Sequence, residues 1–308
     1  MQDEKLQKVL ARSGFGSRRE MERYIEAGRI TLNGERARLG DRVKEGDRIE
    51  MDGRPVNPIF RSEAACRVLI YNKPIGEVCT RHDPEGRPTV FDNLPPLKQG
   101  RWIVIGRLDI NTTGLLLFTT DGELANRMMH PSANIDREYA ARVLGEVDEA
   151  MLERLKQGVL LEDGMASFSD VRFFDGEGAN KWFHCVVMEG RNREVRRLWE
   201  SQGVQVNRLK RVRFGPVFLP SDIKVGTWRE LATREINILR DEVGLEPVKP
   251  VALTPGEAID EQRRYKRQRS RQSTDAPAAP AANKSAARPK GRSVGRRTTT
   301  KARRVPKR

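Results

Sequence analysis

Residues 106–122 read GRLDINTTGLLLFTTDG, and they set one carboxylate, Asp109, between a basic residue and a run of small polar residues that opens into four apolar ones, 115–118. A carboxylate at the mouth of a segment about to be buried must be paired, hydrogen-bonded or protonated, because leaving it isolated in a low dielectric is costly. Three roles fit the residue types. Asp109 can form a structural ion pair with Arg107 or another arginine. It can act as an ionised nucleophile or base in a shielded site. With Asp121 it can form a pair of acids of the kind that cleaves glycosidic bonds. The third role is weakened by Thr120-Asp-Gly-Glu123, which has the form of a capping box ahead of Leu124, Met128 and Met129. That places Asp121 in the first turn of a helix, where a carboxylate suits the dipole. Asp109 has no such explanation.

The elements around this stretch follow from periodicity. Leu6, Val9 and Leu10 fall at i, i+3 and i+4, and the pattern stops at Ser13-Gly-Phe-Gly16. Ser17-Arg-Arg-Glu20 is a capping box for a second helix carrying Met21, Tyr24 and Ile25 and ended by Gly28. Asn33-Gly34 between short strand-like runs then signals a hairpin. Two helices and a β-ribbon thus make a unit over 1–60, and Arg18, Arg19, Arg23, Arg29, Arg36, Arg38 and Lys44 give it a positive face suited to a phosphate backbone or simply to water. The turn formers from Asp52 to Pro58 read as a linker. Beyond it, 68–71, 138–144 and 182–188 are strand candidates, and 148–157 and 193–201 have helical spacing. Their irregular order favours an α+β domain over 66–245 rather than a doubly wound sheet.

The chain has 308 residues and a net charge of +15. Residues 262–308 carry 17 of its 58 Lys and Arg and one of its 43 acids, leaving 41 and 42 in the remainder. The excess charge therefore belongs to the tail, and the folded body is close to neutral. A tail of this kind seeks a polyanion. Nucleic acid is favoured over an anionic membrane because no amphipathic apolar face accompanies the charge. From about 252 onward aromatics and periodicity fade, and a segment of Ala, Pro, Ser, Thr, Lys and Arg is expected to be disordered. No apolar run approaches a membrane span and the first residues lack a signal peptide's pattern, so a cytoplasmic protein is expected. Cys66, Cys79 and Cys185 have no CxxC spacing, and His82, His130 and His184 are scattered. Neither a disulfide framework nor a metal centre is expected.

Two resemblances join these readings. The run from Lys5 to about Asp52, with SRREMERYIEAGRITLNGERARLGDRVKEGD inside it, resembles an S4 RNA-binding domain, in the same helix, turn, helix and ribbon order. GRLDINTTGLLLFTTDG resembles the catalytic signature of the pseudouridine synthases, in the subfamily that modifies bacterial ribosomal RNA and often carries an N-terminal S4 domain. Further matches follow in order: Tyr71-Asn-Lys73-Pro-Ile-Gly, Arg137-Glu-Tyr139, and Gly190-Arg-Asn-Arg-Glu-Val-Arg196 opening a helix. The resemblance implies a mixed sheet split around a central cleft, and isomerisation of uridine with neither metal nor organic cofactor. It implies that Asp109 is the catalytic aspartate, acting on the ribose C1′ or taking a proton from C2′. It further implies that Arg196 keeps Asp109 charged and that Tyr139 stacks on uracil or serves in deprotonating C5. Arg107 would help to hold the target nucleotide out of its helix, and Lys73 would contact RNA. In the third motif Arg193-Glu194 stand where a His-Gln pair is frequent, which leaves those two positions without an implied role.

The sequence thus reads as a ribosomal RNA pseudouridine synthase, expected to act as a monomer on large-subunit (23S) RNA or on a particle assembling around it. Large-subunit RNA is favoured over small-subunit (16S) RNA by overall likeness. The rivals are a non-catalytic S4-type ribosome-assembly factor, in which the Asp109 signature would have decayed, and a hydrolase using Asp109 with Asp121.

Overall fold

The computed structural model describes residues 3–60, 66–98 and 100–249. The basic tail expected to be disordered over 252–308 lies outside the described residues.

Leu6–Arg12 and Arg18–Glu26 are the two expected N-terminal helices. Ser17 Oγ accepts the Glu20 N–H at 3.1 Å, and Glu20 Oε2 accepts the Ser17 N–H at 3.2 Å, which completes the capping box. Leu6, Val9, Leu10, Met21 and Ile25 enclose a small core with Ile30, Val43, Ile49 and Phe60. Asn33 and Gly34, at φ 54° and 89°, form the tight turn between Ile30–Leu32 and Glu35–Arg36. The ribbon goes further than the sequence suggests. Ile49–Met51 pairs with Ile30–Leu32 and then turns through Asp52 and Gly53, at φ 50° and 73°, into Arg54–Pro55, giving four strands. Asp52-Gly53 is therefore a second hairpin turn and not the start of a linker. The neighbouring Pro55 and Pro58 concealed an Asp-Gly signal of the same kind as Asn33-Gly34.

The second domain is built on one nine-stranded sheet. Its main path runs Asp170–Asp175, Asn180–Val187, Arg137–Leu144, Gln205–Phe214, Thr113–Thr119, Val68–Lys73 and Trp228–Glu230. Val217–Phe218 pairs with the 205–214 strand and Ile103–Ile105 with the 113–119 strand. Every pairing is antiparallel except that between 205–214 and 113–119, which is parallel and confined to Lys210 opposite Thr113 and Arg211 opposite Gly114. The sheet is thus mixed and has a narrow waist.

Each side of the waist has its own apolar core. Phe168, Phe183, Leu198 and Trp199 belong to one core, on the side that carries the helices Glu149–Gln157 and Glu194–Glu200. Val68, Leu115, Leu117, Met128 and Leu239 belong to another, with the helices Gly122–Met129 and Thr233–Glu242. The other face of the 68–73 and 113–119 strands packs Tyr71, Leu116 and Phe118 against Trp102 and Val90. At the waist Gly114 has φ 98°, and a Cβ there would sit 2.3 Å from the Arg211 carbonyl oxygen, so only glycine allows the two strands to meet.

Candidate active site

Asp109 lies in the loop between the 103–105 and 113–119 strands, just before the waist. Buried groups hold the loop's backbone from below. Lys73 is fully buried, and its Nζ donates to the carbonyls of Pro74 at 3.0 Å, Asp109 at 3.1 Å and Thr112 at 3.0 Å. Cys79 Sγ accepts the Leu108 N–H at 3.4 Å and donates to the Leu108 carbonyl at 3.3 Å. Arg196, 5% exposed, donates from Nη2 to the Asn111 carbonyl at 3.2 Å and from Nη1 to the Val206 carbonyl at 2.6 Å. A turn closed by the Thr112 N–H on the Asp109 carbonyl, 3.0 Å, completes the loop.

Two expectations change at this point. Lys73, expected at the RNA surface, has its ammonium enclosed and committed to backbone oxygens. Arg196 reaches the Asp109 loop through the backbone, and no ion pair within 4.0 Å joins it to the Asp109 carboxylate. Burial lowers the pKa of both cations, and the charge of Asp109 opposes that shift in each. The carboxylate therefore stands over two buried positive charges. Its own oxygens have no hydrogen-bond or ion-pair partner among the described residues.

Asp109 faces a cleft of about 1050 Å³ that is also lined by Arg107, Tyr139, Arg137, Arg191, Arg193 and Arg211. The structure thus brings Asp109, Arg107 and Tyr139 together and sets Arg196 and Lys73 beneath them. Tyr139, on the 137–144 strand, is half-buried and packs against the cores of both sheet halves. Arg107 is exposed. Asp121 is elsewhere. It is the N-cap of the 122–129 helix, accepting the Glu123 N–H at 2.8 Å and the Leu124 N–H at 3.3 Å, and it pairs with Arg240 at 2.5 Å. The cap is Asp121 and not Thr120, and the two acids do not share the cleft, so the paired-carboxylate hydrolase has no site.

Of the N-terminal arginines, Arg18, Arg19 and Arg23 are exposed on the second helix. Arg29 is exposed too, but its guanidinium is held by Asp52 at 2.8 and 2.5 Å and lies 3.9 Å from the centre of the Tyr24 ring. Two cleft residues were not singled out from sequence. Arg137 stood unremarked inside a quoted motif. Arg211 sits on the 205–214 strand, where Val206, Leu209, Arg211 and Phe214 are the buried positions. An arginine in that inward set disguises the pattern of the strand.

Comparison with known proteins agrees with this architecture. Residues 67–201 match the family described as RNA pseudouridylate synthase, and residues 4–49 match the S4 domain. The chain belongs to the RNA pseudouridylate synthase family and is an isomerase that makes pseudouridine. It is 64% identical over 270 residues to ribosomal large subunit pseudouridine synthase B of Pseudomonas aeruginosa, which covers 87% of this chain and 69% of that one. It is 59% identical over 246 residues to the protein of the same name from Escherichia coli K12, covering 79% and 84%. A crystal structure of a pseudouridylate synthase superposes with a TM-score of 0.54 at 25% identity, over 76% of this chain and 99% of that one. Among the described residues no helix is long and apolar enough to cross a membrane.

Proposed function

We propose that the chain isomerises one uridine of large-subunit ribosomal RNA, free or in an assembling particle, with Asp109 as the group that acts on the ribose. The observation that carries the assignment of Asp109 is its unpaired carboxylate, set in an arginine-lined cleft over the buried charges of Lys73 and Arg196. The C1′–N1 bond breaks while Asp109 adds to C1′ or takes the C2′ proton. The uracil turns in the cleft, and C1′ joins C5. Tyr139 supplies a ring for stacking and a hydroxyl that can serve when the C5 proton leaves.

A stacked base hides the reacting atoms, so the target must be flipped out, and exposed Arg107 at the cleft suits that step. Arg18, Arg19 and Arg23 present cations to phosphates. The roles of Lys73 and Arg196 are to fix the loop and supply positive charge from within. One copy of the chain holds Asp109, Arg107 and Tyr139 in a single cleft, which supports a monomeric enzyme, and a cytoplasmic location follows from its substrate. The relatives' names favour the large subunit over the small one.

The test is a map of pseudouridines across ribosomal RNA from cells with and without the gene, restored with wild type or with Asp109→Asn. Loss at one large-subunit position, recovered by wild type alone, is the expected result. An unchanged map would refute the assignment, and loss in the small subunit would redirect it.

A further inference from the structure

Arg211 is a cation for which the reaction as described has no use. It lines the cleft and is 1% exposed. Its Nε donates to the Leu115 carbonyl at 2.8 Å, while Nη2 is enclosed with no acceptor and Nη1 has none among the described residues. Among the described residues no carboxylate lies within ion-pair distance of it. The cation of Arg137 shares its aromatic neighbour, each guanidinium lying 5.1 Å from the centre of the Phe214 ring. A buried guanidinium with unsatisfied donors and no counter-ion is destabilising by itself, and it is explained if an arriving group completes it. Arg211 is also the cross-strand partner of Tyr139, and such partners project to the same face of a sheet. The flipped uracil on the Tyr139 ring is the group within its reach. The phosphates belong with the exposed Arg107 and Arg193.

We propose that Arg211 is a catalytic residue that donates to a carbonyl oxygen of the flipped uracil and stabilises the ring's negative charge while the ring is detached, a role that rests on the reading of Asp109 and Tyr139 above. When C1′–N1 breaks, the bonding pair stays with the ring and spreads over N1, O2 and O4. C1′ is satisfied by an Asp109 oxygen or by loss of the C2′ proton to Asp109. Turning the ring about the axis through N3 and C6 exchanges N1 with C5 and also O2 with O4. A donor fixed in the protein that holds one oxygen before the turn therefore meets the other after it. C5 then bonds to C1′ as the Asp109 oxygen leaves or the C2′ proton returns. Finally C5 loses its proton and N1 gains one. Arg211 serves the substrate, the detached ring and the product without moving.

The test is single-turnover conversion by the full chain of a ribosomal RNA transcript carrying uridine, 2-thiouridine or 4-thiouridine at the target position, with RNA affinity measured alongside. Sulfur is a weak acceptor. Wild type is expected to slow about tenfold on at least one thio-RNA, the worth of one hydrogen bond. Arg211→Gln is expected to bind RNA normally, to lose about 10²-fold in rate on uridine, and to show no thio effect. Arg211→Lys should keep part of the rate. Wild-type speed on both thio-RNAs overturns the proposal even if Arg211→Gln does not fold, and so does a thio effect equally large in the variant. Failure of wild type to convert the target uridine both in the free transcript and in an assembling large-subunit particle overturns the functional reading itself, and this role with it.

Discussion

Gly114→Ala probes the joint on which the cleft rests. The added Cβ would lie 2.3 Å from the Arg211 carbonyl oxygen, 2.8 Å from Lys210 Cγ and 2.9 Å from the Arg211 nitrogen. Two of these atoms are backbone, so the strands must part by roughly 0.7 Å to bring 2.3 Å up to the 3.0 Å that real Cβ atoms keep. The φ of 98° adds ~1–2 kcal/mol for an L side chain, and overpacking adds ~1–3 kcal/mol. In a folded body of this size each kcal/mol lowers the melting temperature by about 2–4 °C, so a fall of about 10 °C is expected. Because Arg211 and the end of the Asp109 loop move with the strands, turnover should fall at least about tenfold, since a 1 Å misplacement can cost about 10²-fold. Gly106→Ala is the control. Its φ is 75°, but nothing lies within 4 Å of its Cβ, so it carries only the backbone cost. Thermal melts and single-turnover rates of the two variants decide the matter. If Gly114→Ala melts no lower than Gly106→Ala and turns over like wild type, the waist is not the joint described here.

Asp109→Asn should abolish isomerisation with folding and RNA binding intact, as read by product formation, melting and filter binding. Asp121→Asn should leave turnover near wild type but cost about 2 kcal/mol in urea denaturation, because it weakens the bond to the largely buried Arg240 as well as the cap. Tyr139→Phe should slow single turnover by about 10²-fold if the hydroxyl takes part in proton transfer, and a wild-type rate would leave stacking as the ring's whole contribution. Deleting 262–308 should flatten the dependence of log K on log salt by roughly 0.7–0.9 for each phosphate the tail neutralises, with the same uridine modified. An unaltered slope would count against the tail as an electrostatic arm.

The sequence exposes some of this molecule and conceals the rest for definable reasons. Ser17 with Glu20, Asn33-Gly34 and the apolar spacing of the first helices are local signals with local causes, and they reappear in the structure residue by residue. The singularity of Asp109 was legible because no local element explained a carboxylate there. What lay hidden depends on long-range burial. Lys73 stands in a motif like any surface lysine, yet three carbonyls, two of them from residues more than thirty positions away, draw its ammonium inward. The charge of Arg196 suggests a carboxylate partner, whereas its nitrogens bind carbonyls of Asn111 and Val206. The 205–214 strand escaped notice because its inward residues include a cation.

The path of the chain through the sheet also sets when the enzyme can first work. The strand that leads into the catalytic domain, Val68–Lys73, acquires its outer neighbour only from Trp228–Glu230, and Arg67 closes that edge by binding Glu230 at 2.6 Å across 163 positions of sequence. Asp109 is synthesised long before Arg196 and Arg211, the groups that support its loop and share its cleft. Pairings this distant in sequence make folding slow, because closure entropy must be met before the contacts form. A nascent chain therefore carries its reactive carboxylate without a complete cleft until the 228–230 strand has been made. Activity is switched on by the emergence of the last strands, so premature termination between about residue 60 and residue 230 should yield an inert fragment that keeps the N-terminal S4 domain.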